Sequence, residues 1–261
     1  MPTPLTQLVY LSPHLDDAAL SCGGLIHQQA CRGHRPLVIT CLAGVPDYAT
    51  LSPFAAEMHR RWGQPVDPVA TRRCEDAVAM VYLGAEYQHW DYLDCIYRRG
   101  PGSATFLYAS EAALFGPIRQ EELGFIRELV TRLASSFSRR TARIHAPLLG
   151  KHIDHQIVLQ VALELRSMGF SVRFYSDYPY AEDPDALEHV LTEWASPPVA
   201  RLVTLTPENL KARIGAILQY RSQLDVLFGG GIHVQGRVTA YACSLGRDRA
   251  PKEKYWQGGK L

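Results

Sequence analysis

The sequence contains no C-x-x-C pair. Its six cysteines, at positions 22, 31, 41, 74, 95 and 243, are scattered along 261 residues. That spacing argues against a zinc ribbon or a disulfide framework and leaves reduced, mostly packed thiols as the expectation. An excess of charge is missing too: 27 Lys and Arg face 26 Asp and Glu, a formal net charge of +1. The basic residues come as scattered pairs (Arg72-Arg73, Arg98-Arg99, Arg139-Arg140) rather than a stripe. They read as solvated surface, and no nucleic acid is expected as a partner. The N-terminus, MPTPLTQLVYLSPHLDD, lacks a basic n-region and a small-residue cleavage site. Its apolar run of about five residues is far too short to span a bilayer. A cytoplasmic protein with no membrane partner follows as the expectation. The dinucleotide fingerprint G-x-G-x-x-G is absent as well.

What is present is an ordinary globular composition, 47% apolar and 20% charged. Leu8–Leu11 reads as a short strand ended by Ser12-Pro13, and Ala18 to about Ala30 as a helix. Gly23-Gly24 inside that helix costs roughly 1 kcal/mol per glycine relative to alanine, so close packing against a strand is expected there. Pro36–Leu42 is a continuous apolar strand that suits a parallel sheet covered on both faces. Residues 44–70 read as a long loop with a short helical piece, and Thr71–Leu83 as a helix capped by Gly84. A weak strand at 87–90 leads into a second irregular stretch, 93–117. A helix at 121–135, a strand at 142–146 and a helix at 155–167 follow. A strand at 172–175, a helix at 185–195, a strand at 202–205 and a helix at 207–224 continue the alternation. Gly229-Gly230-Gly231 reads as a turn rather than a phosphate loop. With no repeat or linker, residues 1–261 are expected to form one α/β domain. Its fold would be Rossmann-like, a mostly parallel sheet with helices on both faces and long loops over the C-terminal strand ends.

Two clusters of imidazole and carboxylate stand just past predicted strands, where open α/β sheets bind their ligands. Pro13-His14-Leu15-Asp16-Asp17 follows the first strand, and His152-Ile153-Asp154-His155 follows the strand at 142–146. His14 and Asp17, three residues apart, can point at one atom. Two histidines and a carboxylate leave an open position for water, as catalytic zinc sites do. A His-Asp pair at a strand end also fits a helix cap beside a surface histidine, and spacing alone leaves both readings open. His27, His34, His59, His89, His145, His189 and His233 read as surface or packed. Trp62 and Tyr178 read equally as core or as rings that stack on a sugar.

SPHLDDAALSCGG resembles the P-H-x-D-D…G-G signature of the LmbE-like (PIG-L) deacetylase family, and KHIDHQIV resembles its H-x-D-H motif. Arg72–Gly84, FYSDYPYA (174–181) and KARIGAILQYRSQ (211–223) are similar to further family segments, so the likeness covers most of the chain. The resemblance implies a Rossmann-like fold, one bound metal, usually Zn2+, and removal of the acetyl group from N-acetylglucosamine carried on varied aglycones. It implies His14, Asp17 and His155 as metal ligands and Asp16 as general base. His152 and Asp154 would assist at the developing oxyanion, and Arg72 and Asp94 would contact the sugar. Histidine and carboxylate ligands suit Fe2+ as well as Zn2+. Leu15 and Ala18 stand where many members have proline and glutamate, which leaves the subfamily and its substrate open.

The residue types suit the chemistry. Amide hydrolysis needs a nucleophile stronger than water, and bound zinc lowers the pKa of its water to about 7. A protonated His152, held charged by Asp154, would stabilise the tetrahedral oxyanion together with the metal. With no membrane-seeking segment and two long loops to narrow the entrance, a small soluble amino-sugar conjugate is expected rather than a polymer or lipid. Two alternatives remain: a zinc amidase acting on a non-sugar amide, and a non-catalytic metal- or nucleotide-binding α/β module. A homo-oligomer is left open.

Overall fold

The computed structural model describes residues 6–63, 66–192 and 194–259. Residues 1–5 of the N-terminal segment, 64–65 of the expected first loop and 193 of the expected helix at 185–195 lie outside the described residues. In chain order the elements are β1 (Gln7–Ser12), α1 (Asp17–Cys31), β2 (Leu37–Thr40), α2 (Pro53–Arg61), α3 (Pro68–Leu83) and β3 (Glu86–His89). Next come α4 (Glu111–Leu114), α5 (Leu123–Ser136), β4 (Ala142–Pro147), α6 (Ile153–Ser167), β5 (Ser171–Tyr175), α7 (Pro184–Thr192) and β6 (Val199–Thr204). The chain closes with α8 (Pro207–Ile217), α9 (Arg221–Phe228), α10 (Val234–Ser244) and β7 (Lys252–Gln257).

Among the described residues seven strands form one sheet, in the order β3-β2-β1-β4-β5-β7-β6. The first five in that order are parallel, and β7 is inserted antiparallel to both β5 and β6. Strand β1 is buried on both faces because its neighbouring side chains enter opposite cores. Val9 and Leu11 pack with Ile126 and Leu133 of α5 and Ile157 and Val161 of α6. Leu8 and Tyr10 pack with Ala18, Cys22 and Ile26 of α1 and Met80 and Leu83 of α3. This period-two division is why the strand reads as an unbroken apolar run. The chain reverses direction across the sheet between β1 and β4, which creates a crevice at their carboxyl ends.

Local signals place most boundaries. Asp67 accepts a bond from the Ala70 amide and Pro68 occupies the first turn, so α3 starts a turn earlier than residue 71. Gly84 ends it in the left-handed conformation, φ 64°. The helix expected over 207–224 is broken in two at Tyr220. That side chain is buried, its hydroxyl donates to Asp76, and Glu75 accepts from the Ser222 amide and hydroxyl. The glycine pair packs tightly, at Gly23 against helix α8 and at Gly24 against Leu205 and against Glu253 of strand β7. A Cβ on Gly23 would meet Arg213 of α8 at 3.0 Å, and one on Gly24 would meet Leu205 at 2.5 Å. Strand β7 and helix α10 lie past the last element the sequence pattern marks.

Candidate metal centre and active site

The turn between β1 and α1 is held by Ser12. Its hydroxyl donates to the His14 carbonyl at 2.6 Å and accepts from the Ala18 amide at 3.0 Å. Asp17 opens α1, where a carboxylate is favoured by the helix dipole. Its Oδ2 accepts from the His14 amide at 2.7 Å and lies 3.4 Å from His14 Nδ1. Across the crevice, His152 caps α6 and His155 sits in its first turn. His155 Nε2 lies 3.3 Å from Asp17 Oδ1. One ligand atom from each of His14, Asp17 and His155 can therefore be chosen so that all lie within 4.8 Å of one another. Two overlapping groups, His14-His152-Asp154 and Asp94-Cys95-Asp154, share Asp154. That carboxylate is already engaged by Arg98, and burial pushes the Cys95 thiol well up, so neither group matches the first as a donor set.

The histidines are oriented by carboxylates behind them. His155 Nδ1 donates to Asp177 Oδ1 at 2.7 Å, which directs Nε2 toward Asp17. Asp177 follows β5 and is itself fixed by the Leu148 and Leu149 amides at 2.8 and 2.7 Å. His14 Nε2 lies 2.9 Å from Asp154 Oδ2 and 3.6 Å from Asp94 Oδ2. Donation from Nε2 to Asp154 leaves Nδ1 facing Asp17. Burial works against charge on His14, but the bonds to Asp154 and Asp17 push its pKa up to about 10. Burial also opposes ionisation of Asp17, yet His155 and His14 hold its carboxyl well below the usual range. The pocket is thus built to hold positive charge among hard nitrogen and oxygen donors, which fits a divalent cation.

Asp16 is buried beside this cluster, with Arg72 3.5 Å from its Oδ2. Burial pushes its carboxyl up to about 7, against the pull of Arg72 and with Asp17 adding to the rise. A carboxylate poised near neutrality suits general-base work. Arg72 also reaches the Leu15 carbonyl at 3.5 Å and lies over the Trp62 ring. Asp94 caps the short turn at Cys95–Tyr97 and faces the same cavity. The cavity measures about 260 Å³, and Leu20, Trp62 and Tyr180 complete its inner walls. Tyr178 does not line it: that ring is core, packed on Phe228 and Tyr241.

Two expectations are corrected. Asp154 does not hold His152 in its charged form. The carboxylate faces His14, the Cys95 amide at 3.0 Å and Arg98 at 2.7 Å. His152 accepts from the Asp154 backbone amide on Nδ1 at 3.3 Å, and its Nε2 lies 3.9 Å from Cys95 Sγ. Burial, followed by the charge on His14, takes its pKa down to about 4, so it stands as a neutral ring with its proton on Nε2. Arg98, like Arg72, is not a surface residue either. It is buried between Asp154 and Glu122, 2.8 Å from the latter. Asp177 and Arg98 were missed as parts of the site; the SDYPYA segment carried a signal for the first, and nothing local marks the second.

A cluster of two histidines and a carboxylate, with a second carboxylate beside it at the switch point of a doubly wound sheet, is the arrangement of a hydrolase that works with a divalent metal. The sequence profile of the PIG-L, GlcNAc-PI de-N-acetylase family matches residues 9–165, and the chain belongs to that family. It is 31% identical over 234 residues to the 2'-N-acetylparomamine deacetylase of Niallia circulans, covering 85% of this chain and 82% of that protein. It is also similar to a deacetylase of the teicoplanin biosynthesis pathway, with 28% identity, TM-score 0.83 and coverage of 96% and 97% of the two chains. A structure described as the zinc-inhibited form of teicoplanin deacetylase aligns at 28% identity and TM-score 0.80, over 96% and 97%.

Proposed function

We propose that this protein removes the N-acetyl group from an N-acetylglucosamine-type unit of a small conjugate, using one divalent metal held by His14, Asp17 and His155. The observation that carries the reading is the convergence of those three donors beside Asp16, a buried carboxylate poised near neutrality. A bound divalent cation supplies Lewis acidity for the amide carbonyl and a nucleophile from water at neutral pH. Asp16 takes the proton of the attacking water and passes it to the departing nitrogen. The amide C–N bond breaks to give acetate and a free amine. His152 donates its Nε2 proton toward the oxyanion as a neutral hydrogen-bond donor. Asp154 and Asp177 orient His14 and His155 from behind. Asp94 and Arg72, on the cavity wall, meet sugar hydroxyls.

The two kinds of relative, acting by name on 2'-N-acetylparomamine and in teicoplanin biosynthesis, support an amino-sugar conjugate. A cavity of about 260 Å³, at the small end of ligand sites, supports a terminal sugar rather than a polymer threaded through. Zn2+ is the metal we favour from the family resemblance, with Fe2+ the second choice, since the donor set suits both. One sheet built from residues 7 to 257 supports a single domain. Six unpaired cysteines support a reducing compartment such as the cytoplasm. No helix among the described residues is long and apolar enough to cross a membrane.

The test is acetate release from N-acetylglucosamine and its small conjugates by protein loaded separately with Zn2+, Fe2+ or Co2+, alongside elemental analysis. One metal per chain, lost in His155→Ala, and acetate from at least one conjugate are expected. Acetate only from simple non-sugar amides would replace the reading with a general amidase. Metal binding with no hydrolysis of either class would replace it with a binding module.

A further inference from the structure

Resting on that deacetylase reading, we propose that the aglycone is apolar and uncharged, and that Phe115 and Val226, which line the cavity from two different helical layers, select it. The relatives leave this open, since sequence identity is close for both kinds of substrate. The cavity mouth does not. In a 2-acetamido sugar the anomeric carbon is bonded directly to the carbon bearing the amide. With the amide at His14, Asp17 and His155, the aglycone begins at the walls of the same cavity.

Those walls are apolar on both sides. Leu114 belongs to the core beneath α5 and α6, and the next residue, Phe115, lines the cavity edge-on to His152, ring centroids 5.9 Å apart. From the other helical layer, Leu227 packs with the α8–α10 core and Val226 lines the cavity. Phe115 is 49% exposed and Val226 52%, which leaves apolar surface that an aglycone would cover. The charged groups at this rim, Arg61 and Glu111, lie 3.6 Å apart and offset each other. Of the inner carboxylates, Asp17 is engaged by both histidines, Asp16 by Arg72 and Asp154 by Arg98, and Asp94 lies 3.6 Å from His14, beside the amide rather than at the rim. An ammonium group on the aglycone would lose water against Phe115 and Val226, where the nearest rim carboxylate, Glu111, is offset by Arg61 and Asp94 is turned to His14. An aryl group would bury the two side chains instead.

The experiment compares kcat/KM for acetate release from 4-nitrophenyl N-acetylglucosaminide, free N-acetylglucosamine and 2'-N-acetylparomamine, whose aglycone carries amino groups. The aryl glycoside is expected to exceed each of the others by about tenfold, the size of step an apolar pocket gives, chiefly through KM. In Val226→Asp, and separately in Phe115→Ser, the aryl-to-free ratio should fall toward one. The second wall keeps the test valid if Phe115→Ser also disturbs His152. Equal or faster turnover of 2'-N-acetylparomamine, or an unchanged ratio in both variants, overturns the selection while leaving the deacetylase reading standing. No acetate from any of the three by metal-loaded protein overturns both.

Discussion

The carboxylate of Asp177 decides which nitrogen His155 presents, because its 2.7 Å bond to Nδ1 leaves Nε2 toward Asp17. Partners of this kind typically change metal affinity about 10–100-fold when removed. Asp177→Ala should therefore weaken metal binding by that order in a chelator competition, and an unchanged affinity would remove it from the role. Asp16 carries the opposite expectation. Asp16→Asn should keep its metal and lose about 10²–10⁴-fold in kcat, the usual contribution of a general base. Loss of metal together with activity would make Asp16 a ligand. His14, Asp16 and Asp17 were legible in the sequence because one turn brings them together, and His155 because it repeats the pattern after a second strand. Asp177 and Arg98 were not. They reach the site across 22 and 56 residues of chain, to His155 and Asp154 respectively, through bonds that only strand order creates.

Helix α1 depends on elements far from it in sequence. Arg213 of α8, fully buried, donates to the Leu20 carbonyl at 2.5 and 3.0 Å. Glu253 of β7 accepts from the Gly24 and Leu25 amides at 2.8 and 2.7 Å, and its Oε1 lies 3.5 Å from Arg213. Removing one member of a buried pair leaves the other charge uncompensated, at about 3–5 kcal/mol. Urea unfolding of Arg213→Ala should show a loss of that size, and the double variant Arg213→Met with Glu253→Gln should regain part of it. A loss below about 1 kcal/mol, the range of an exposed pair, would mean the pair does not hold α1 to the sheet. The glycine pair announced close packing against a strand, which Gly24 makes with Glu253 of β7, while Gly23 packs on Arg213 of α8. KEKYWQ, with its three charged residues, carries no apolar run, so β7 left no mark that a pattern could detect. Its burial follows from insertion between β5 and β6, where both edges are paired.

Global stability carries a pH dependence through His145, which lies fully buried and stacked on Tyr10 at 4.3 Å. Burial, reinforced by the nearby Arg173, takes its pKa from 6.5 down to about 3. Between those values the unfolded chain binds a proton that the folded chain refuses, so stability rises with pH and falls on acidification through that window. The slope is about 1 kcal/mol per pH unit. Denaturant unfolding between pH 7 and pH 4 should show a shallower acid loss in His145→Phe than in the parent, and parallel curves would sink this account. His145 belongs with the packed histidines, as its place inside the strand at 142–146 indicated. The sequence by itself determined the alternation of strand and helix, the doubly wound class and the two strand-end motifs. Each of these is written in local periodicity, capping and turn residues. Only the tertiary structure decided that β7 completes the sheet, that Arg98 pairs with the Asp154 carboxylate, and that Phe115 and Val226 line one cavity. Those outcomes depend on the strand order β3-β2-β1-β4-β5-β7-β6, which sets distant side chains a few ångströms apart without any local pattern to record it.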